Sequence, residues 1–369
     1  MNEKDRIHIV GAGLSGATLA RKFAEDGEKV LVFEKRDHIG GNTFDYLNEY
    51  GIRMSKYGAH IFHTSDEEVW QFVNQFSDWI PYEHRVKSSV DGKLVPIPIN
   101  ITTVNEILGL GLRHQKDFEN WQKKNPYKNI EVENSRDSAL KRIGNLELYE
   151  KMIDCYTQKQ WDMKPEELEA SVLERIPVRS DWNDRYFGDT YEGLPSNGYT
   201  DLVKNMLDHE NIKVILGFDY LESPQQDKPK ALFFTGKIDT YFNDKFGKLE
   251  YRSVRFEHET LRQESFQEAA VVNFPSLSRP FTRIIEYKKF YPVDIPYTTI
   301  SREYSIAGGE PYYPVPTPKN REIFEKYKEE AMKRDDVYFV GRLANYKYFN
   351  MDQAIRNALD VYEDVKGRV

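Results

Sequence analysis

The sequence has little cysteine, no long apolar run and no excess of positive charge. Cys155 is the single cysteine among 369 residues, which excludes an internal disulfide and a zinc site built on cysteine pairs. No run of about 18 apolar residues occurs, so no segment is predicted to cross a membrane. The 52 Lys and Arg against 60 Asp and Glu give a net charge of −8, unlike the basic field of a nucleic-acid-binding protein. We therefore expect a soluble, cytoplasmic protein that binds no nucleic acid.

Aromatic side chains, in contrast, are abundant. The sequence holds 24 Tyr, 21 Phe and 5 Trp, which is incompatible with a largely disordered chain. Its 369 residues exceed one ordinary domain of about 100–200 residues. We therefore expect two or three domains, each of which can be built from more than one segment of the chain.

The first part of the chain predicts a complete βαβ unit. Residues 7–10 form a short apolar run that ends at a glycine, as in a buried parallel strand. Residues 17–24 have helical spacing and stop at Gly27. A second strand, residues 29–34, ends in the acidic Glu34.

Gly11, Gly13 and Gly16 form the pattern G-x-G-x-x-G between that strand and that helix. In this pattern the glycines allow a tight turn, leave room for a pyrophosphate and let the helix pack closely on the strand. The helix N-terminus then presents free N–H groups to the phosphates. A carboxylate at the position of Glu34 accepts hydrogen bonds from ribose hydroxyls. Together these features predict a dinucleotide site.

Two further features favour FAD over a nicotinamide cofactor. A second glycine-rich turn, residues 40–42, follows the acidic residue, as in a large family of FAD-containing proteins. A strand at 337–341 precedes an amphipathic helix at 351–365, whose N-terminus would stabilise reduced flavin if aimed at its pyrimidine ring. The alternative for the second glycine-rich turn is an ordinary loop. The alternative for the strand and helix near the end of the chain is a core strand and the helix that covers it. For His60, which has no metal-binding partner at a recognisable spacing, the alternatives are a core histidine and an imidazole that faces the flavin.

The remaining chain divides into a helical and a strand-rich stretch. From about 103 to 170, apolar residues such as Leu140, Ile143 and Leu146 recur every three or four positions. Further strands are predicted at 214–216, 232–236, 254–256, 270–274, 283–285 and 298–300. The fold class expected is α/β: a Rossmann-like FAD-binding domain with an inserted helical domain and a mainly antiparallel β-sheet domain.

The predicted domains are discontinuous along the chain. The FAD-binding domain comprises residues 1–65, about 195–245 and about 320–369. It includes the strands predicted at 214–216 and 232–236. The helical insert spans about 100–170. The sheet domain, which would bind the substrate, comprises about 66–99, 171–194 and 246–319.

Six segments in this order resemble the UDP-galactopyranose mutase family, and the resemblance covers essentially the whole chain. They are KYGAHIFHT at 56–64, YTQKQW at 156–161, RIPVR at 175–179, FTRIIE at 281–286, EPYYPV at 310–315 and GRLANYKY at 341–348. The resemblance implies an isomerase of galactofuranose biosynthesis that interconverts UDP-galactopyranose and UDP-galactofuranose. It also implies FAD that acts when reduced, an external reductant such as NAD(P)H or a flavin reductase, and a homodimer.

The family reaction involves no net redox change. It implies a covalent sugar–flavin adduct: flavin N5 attacks the anomeric carbon, UDP departs, and the opened sugar recloses before UDP returns. This is nucleophilic catalysis, in which the cofactor makes the bonds and the protein supplies position and charge.

The resemblance also implies roles for individual residues. The implied catalytic residues are Arg175, Arg283 and His60, and the two guanidinium groups suit the diphosphate because they fork onto phosphate oxygens. The implied cofactor contacts are Gly11, Gly13, Leu14, Ser15, Gly16, Glu34, Lys35, Gly41, Asn42, His60, Ile61, Gly341, Arg342, Asn350 and Met351. The implied substrate contacts are His84, Met152, Tyr156, Thr157, Trp161, Arg175, Tyr186, Asn273, Arg283, Tyr313 and Tyr348.

Some positions depart from the common bacterial pattern of the family. His84 stands where asparagine is usual, and Met152 and Ile153 replace a frequent aromatic pair near the uracil. Asn350 occupies a position often held by aspartate. These departures concern the uridine contacts and the tolerance for N-acetylated sugars.

Two alternative functions share part of this pattern. A conventional FAD-dependent oxidoreductase would have the same nucleotide-binding half and would consume an electron acceptor. A non-enzymatic binding protein of the same fold, such as the prenylated-GTPase dissociation inhibitors, would need no flavin. The arginine pair, rather than an apolar lipid pocket, is evidence against the second alternative.

Overall fold

The computed structural model describes residues 6–174, 176–223 and 228–369. In chain order the strands are β1 (Ile7–Val10), β2 (Val30–Glu34), β3 (Asp45–Leu47), β4 (Arg53–Ser55), β5 (Phe62–Thr64), β6 (Trp79–Pro81), β7 (Val86–Val90), β8 (Lys93–Ile97), β9 (Tyr191–Pro195), β10 (Ile212–Leu216), β11 (Ala231–Phe234), β12 (Tyr251–Leu261), β13 (Val271–Asn273), β14 (Arg283–Glu286), β15 (Thr298–Ala307), β16 (Tyr313–Pro314) and β17 (Val337–Phe339).

The helices complete this architecture. They are α1 (Leu14–Glu25), α2 (Glu67–Val73), α3 (Ile101–Leu108), α4 (Gln115–Gln122), α5 (Ser135–Ile143), α6 (Leu146–Tyr149), α7 (Cys155–Trp161), α8 (Ser171–Glu174), α9 (Tyr199–Leu207), α10 (Ile238–Tyr241), α11 (Pro318–Ala331), α12 (Gly341–Ala344) and α13 (Met351–Val365). A π-helical turn, Glu150–Asp154, joins α6 to α7.

The predicted βαβ unit forms the centre of a five-stranded parallel sheet. Its strand order is β10-β2-β1-β11-β17, and every neighbouring pair runs parallel. All five residues of β2 are buried, as expected for a strand covered on both faces. The strands predicted near 214–216 and 232–236 belong to this sheet, as β10 and β11. The helices α1 and α13 pack against each other beside it.

A second, seven-stranded sheet has the order β16-β12-β15-β14-β13-β7-β8. Its neighbours are antiparallel except for the parallel pair β13–β7. The strand predicted at 298–300 is longer than expected, because β15 continues to Ala307. Polar residues on the outer face of this extension pair with β12: Arg302 with Glu259, and Tyr304 with Glu257. Such a half-exposed strand contains no apolar run that would predict it.

The predicted helical stretch is confirmed, since α3 to α8 follow β8. Of the recurring apolar residues, Leu146 is 38% exposed, whereas its neighbour Leu148 is buried. The helical period restarts here because Gly144 ends α5 in a left-handed conformation and Asn145 caps α6. With a parallel sheet, an inserted helical region and a mainly antiparallel sheet, the predicted α/β fold class is confirmed.

Candidate functional site

The G-x-G-x-x-G turn lines a cavity of about 330 Å³ at the C-terminal ends of β1, β2 and β11. A Cβ atom on Gly16 would lie 1.9 Å from the Gly11 carbonyl oxygen, and one on Gly11 would lie 2.1 Å from Thr235 Oγ1. Packing therefore requires glycine at both positions. No side chain caps the N-terminus of α1, which begins directly after Gly13. This arrangement leaves backbone N–H groups available to a diphosphate, which is the group that the cavity fits.

Glu34 lies at the end of β2 beside the same cavity and is 5% exposed. Its Oε2 accepts a hydrogen bond from the Ala12 N–H at 2.9 Å, and its Oε1 accepts one from the Arg36 N–H at 2.9 Å. Each carboxylate oxygen can accept a further hydrogen bond. Glu34 therefore holds the glycine turn through the Ala12 N–H, and its carboxylate can still accept hydrogen bonds from hydroxyl groups in the cavity.

Most of the predicted cofactor contacts gather around this cavity. The predicted residues that line it are Gly11, Gly13, Leu14, Ser15, Gly16, Glu34, Lys35, Gly41, Asn42, His60, Gly341, Arg342, Asn350 and Met351. Ile61 does not line the cavity; it is 8% exposed and packs into the hydrophobic core.

Sequence reasoning missed other lining residues. Thr235 and Gly236 follow β11, and the gathering of parallel strand ends at one edge of a sheet could have indicated them. Arg36, Tyr220 and Glu310 come from loops without a recognisable pattern. Arg36 Nη2 lies 3.0 Å from Glu310 Oε2 and so joins two of these loops across the cavity.

His60 is half-buried at the cavity wall, as a neutral imidazole. Burial lowers the pKa of His60 to about 4, and the positive charges of Arg342 and Arg283 act in the same direction. Its Nδ1 is buried and has no hydrogen-bond partner within the described ranges. A buried polar atom without a partner is costly, so this nitrogen fits a group bound in the cavity.

The second group of predicted residues lies on the seven-stranded sheet. Asn273 at the end of β13 and Arg283 at the start of β14 are directly paired, and Arg283 also faces Glu303 on β15. Arg283 Nη2 lies 2.7 Å from Glu303 Oε2. Although burial acts against the charged form, Glu303 and the neighbouring Tyr156 and Tyr313 hold the pKa of Arg283 above its ordinary value. The guanidinium therefore stays charged and is available to an anion.

Arg342 connects this group to the cavity at the glycine turn. Its guanidinium lies 5.0 Å from the ring centre of Tyr348 and 5.7 Å from that of Tyr313, and the two tyrosine rings stack at 5.3 Å. Burial raises the pKa of Tyr313 and of Tyr156, so both hydroxyls stay protonated and can donate hydrogen bonds. The predicted cofactor contacts and the predicted substrate contacts thus share one wall.

Other predicted substrate contacts are more deeply buried. Met152, Thr157 and Trp161 are 1%, 2% and 3% exposed. Trp161 borders a separate cavity of about 520 Å³, which Tyr348 and Asn350 also line. Their roles as substrate contacts stay predictions.

His84 packs within an aromatic cluster at the Arg283 side of the site. Its ring centre lies 5.6 Å from that of Tyr186, and it also contacts Phe187 and Phe290. Burial lowers the pKa of His84 to about 3, with Arg283 acting in the same direction. His84 is therefore a neutral side chain. Arg175, the second predicted arginine, lies outside the described residues.

Among the residues that the structure describes, no group of three or more His, Cys, Asp or Glu residues could hold a metal ion. In the same ranges no helix is both long and apolar enough to cross a membrane.

Comparisons with known proteins point to one family. Residues 151–348 match the family model described as GLF, UDP-galactopyranose mutase, and residues 9–76 match that of a NAD(P)-binding Rossmann-like domain. The chain is 38% identical over 369 residues to a probable UDP-galactopyranose mutase of Klebsiella pneumoniae, covering 99% of this chain and 95% of that one. It is 35% identical over 366 residues to a dTDP-fucopyranose mutase of Escherichia coli, covering 96% and 97%.

A solved structure of a reduced UDP-galactopyranose mutase has a similar fold. The TM-score is 0.79 at 18% sequence identity, and the match covers 99% of this chain and 96% of the other. At this level of identity the structural comparison shows the shared fold.

Proposed function

Because the chain belongs to the UDP-galactopyranose mutase family, we propose that it is the isomerase that interconverts UDP-galactopyranose and UDP-galactofuranose. The observation that carries the proposal is the position of Arg342. This residue lines the cavity at the glycine turn. Its guanidinium also lies over the rings of Tyr348 and Tyr313, 5.0 and 5.7 Å from their centres. A cofactor in the cavity would therefore adjoin a nucleotide sugar held at the tyrosines.

Family membership implies a flavin cofactor, and we propose that it is FAD in its reduced state. When bound and reduced, FAD supplies the nucleophile N5 for the anomeric carbon of the sugar. The N-terminus of α1 would hold the pyrophosphate, and Glu34 the ribose. The N-terminus of α13, at Met351, would lie near the flavin ring and favour negative charge there.

The protein's own contribution is to orient the sugar nucleotide and to stabilise the departing diphosphate. Arg283 is charged and only partly exposed, at 24% of its side chain. Charge grows on the diphosphate as the bond to the sugar breaks, so a fixed guanidinium stabilises that stage more than the ground state. Tyr313 and Tyr348 would donate hydrogen bonds to the phosphates, and Arg175 would be the second arginine.

Neutral His60 would contact the bound flavin through its unpaired Nδ1. Because its pKa is lowered to about 4, it would place no positive charge on the flavin at neutral pH. Tyr156 and Trp161 would contact the base, since flat rings suit the face of uracil.

dTDP-fucopyranose is a second candidate substrate. The observation that favours it is the 35% identity to the E. coli dTDP-fucopyranose mutase over nearly the whole of both chains. Met152 and Ile153 replace the aromatic pair that is frequent near the uracil, and His84 replaces an asparagine. Both nucleotide sugars therefore belong in the assay.

The cellular setting follows from the same proposal. We place the enzyme in the cytoplasm, in galactofuranose biosynthesis, as a homodimer. An external reductant such as NAD(P)H or a flavin reductase would keep the flavin reduced.

The test is to incubate the purified, dithionite-reduced protein with UDP-galactofuranose and to separate the nucleotide sugars by chromatography. A parallel reaction uses dTDP-fucopyranose. We expect UDP-galactopyranose to accumulate in the first reaction until equilibrium. If flavin-loaded protein does not convert UDP-galactofuranose, or if the purified protein binds no flavin, the proposal fails. Conversion of dTDP-fucopyranose alone would support the second candidate substrate instead.

A further inference from the structure

Lys159 links the helical region to the seven-stranded sheet through an unusual set of contacts. It lies on α7, the helix that also carries Tyr156, Thr157 and Trp161. Its Nζ donates hydrogen bonds to the carbonyl oxygens of Ser276 at 3.0 Å, Arg279 at 3.2 Å, Phe281 at 2.9 Å and also Phe274. An ammonium group has three N–H donors, so at least one of them is shared between two of the four carbonyls.

All four carbonyls belong to residues 274–281 of the loop that joins β13 to β14, and Thr282 completes this loop. The residues that flank this hairpin loop are Asn273, the last of β13, and Arg283, the first of β14. Carbonyl oxygens that converge on one point repel each other unless a cation lies between them. The conformation of the loop therefore depends on the ammonium group of a different part of the chain.

Other contacts hold the end of α7 to the sheet but do not reach this loop. The Gln160 carbonyl accepts a hydrogen bond from Ser305 Oγ on β15. Asp162 Oδ2 lies 3.5 Å from Arg252 Nη1 on β12. These contacts can keep the helix in place when the charge of Lys159 is removed, so the loop can be perturbed separately.

We propose that Lys159 is a positioning residue, whose ammonium group fixes the loop 274–281 against α7 and thereby sets Arg283 and Asn273 opposite Tyr156 for binding of the nucleotide diphosphate. The inference rests on the proposed function, because it assumes that these side chains contact the substrate. Lys159 itself acts through the loop and touches none of the reacting groups.

The proposal has a consequence for pH dependence. Burial lowers the pKa of Lys159 to about 8, whereas the four carbonyls and the nearby Cys155, one turn earlier on α7, favour the charged form. In the loop, the charged residue Arg279 is exposed, and its backbone carbonyl is one of the four around the ammonium group. Below pH 8 the ammonium group has all its donors. Above pH 8 the neutral amine presents a lone pair to the carbonyls, so the loop loosens and affinity for the diphosphate falls.

The first experiment measures the dissociation constant of UDP by calorimetry on flavin-loaded protein, with KM and kcat at pH 7. Lys159→Met removes the charge and keeps the chain length, Lys159→Arg keeps the charge, and Lys123→Met changes an exposed lysine of the helical region as the control. We expect Lys159→Met to raise the UDP dissociation constant and KM at least about tenfold, with smaller change in kcat and unchanged flavin content. Lys159→Arg should recover part of the loss, and Lys123→Met should match the wild type.

A second measurement needs no charge-removing variant and keeps the proposal testable if Lys159→Met does not fold. The UDP dissociation constant is followed from pH 6.5 to 9.5 in the wild type, in Lys159→Arg and in Cys155→Ser. We expect a rise above pH 8 in the wild type and in Cys155→Ser, and a flatter profile in Lys159→Arg. Identical profiles for the wild type and Lys159→Arg overturn the proposal, as does a folded Lys159→Met that binds UDP like the wild type.

These results separate the inference from the proposed function. If the wild-type protein isomerises nucleotide sugars and Lys159→Met binds UDP normally, the inference alone is wrong. If the flavin-loaded wild type binds no UDP and converts no sugar, the proposed function is wrong and the inference falls with it.

Discussion

Arg283 and Glu303 are paired across β14 and β15, with Nη2 of the guanidinium 2.7 Å from Oε2 of the carboxylate. The Glu303 side chain is 8% exposed and the Arg283 side chain 24%, so the carboxylate end of this ion pair is largely shielded from water. Removal of one partner from such a pair leaves an uncompensated charge. The carboxylate therefore orients Arg283 and also opposes the approach of a second anion to it.

Replacement of Arg283 by alanine should remove the charge that stabilises the departing diphosphate. We expect turnover to fall by about two to three orders of magnitude while the protein keeps its flavin. Steady-state kinetics and the flavin absorbance of the same sample provide the measurement. Near-normal turnover in a flavin-loaded Arg283→Ala protein would show that the diphosphate lies elsewhere.

Glu303→Gln keeps the shape of the side chain and removes its negative charge. We expect UDP to bind about three- to tenfold more tightly, because one anion no longer competes with the diphosphate for Arg283. Calorimetry with UDP at two salt concentrations measures the change. Weaker binding would instead mean that orientation of the guanidinium by the carboxylate outweighs charge competition.

Glu34→Lys should affect the cofactor and not the sugar. The substitution removes the acceptor of the Ala12 and Arg36 N–H groups and places a cation at the predicted ribose position. We expect the purified variant to contain little or no flavin, as measured by absorbance after denaturation. Glu49→Lys, at an exposed position, is the matched control and should retain the flavin content of the wild type. Equal flavin content in both variants contradicts the ribose assignment.

The buried histidine at position 84 predicts a loss of stability in acid. In the folded protein burial lowers the pKa of His84 to about 3, whereas an unfolded histidine has a pKa of about 6.5. As pH falls below 6.5 the unfolded state takes up a proton that the folded state does not, so the free energy of unfolding decreases by about 2 kcal/mol between pH 7 and pH 5.

Urea unfolding of wild type and His84→Asn at these two pH values measures that decrease. We expect the variant to lose about 2 kcal/mol less than the wild type over this interval. His114→Asn changes an exposed histidine and should retain the pH dependence of the wild type. If His84→Asn also retains it, the pKa of His84 is not lowered in the folded protein.

The parts of the fold that depend on residues close together in the sequence could be predicted from it. The glycine spacing and Glu34 predict the first βαβ unit because each feature acts within a single turn or strand end. The extension of β15 escaped prediction because its polar outer residues pair with β12, about 45 positions earlier at Arg302 and Glu257. Pairing at such sequence separations leaves no local pattern.

The site divides in the same way. The glycine turn was predicted from its own pattern, whereas the roles of Arg283 and Tyr313 came from the family resemblance. Neither source indicated Glu303 as the partner of Arg283, or the four carbonyls around Lys159. Both arrangements arise only when α7, β14 and β15 are brought together in three dimensions.

The central claim is that a reduced flavin enables isomerisation without being consumed, and the most direct test counts product per reducing equivalent. Protein reduced once by dithionite under anaerobic conditions is mixed with excess UDP-galactofuranose, while flavin absorbance and UDP-galactopyranose are followed together. We expect many molecules of product per flavin, with the absorbance staying that of the reduced form and with little turnover in the oxidised protein. Oxidation of one flavin for each molecule of product, or equal rates in the apoprotein, would contradict the account.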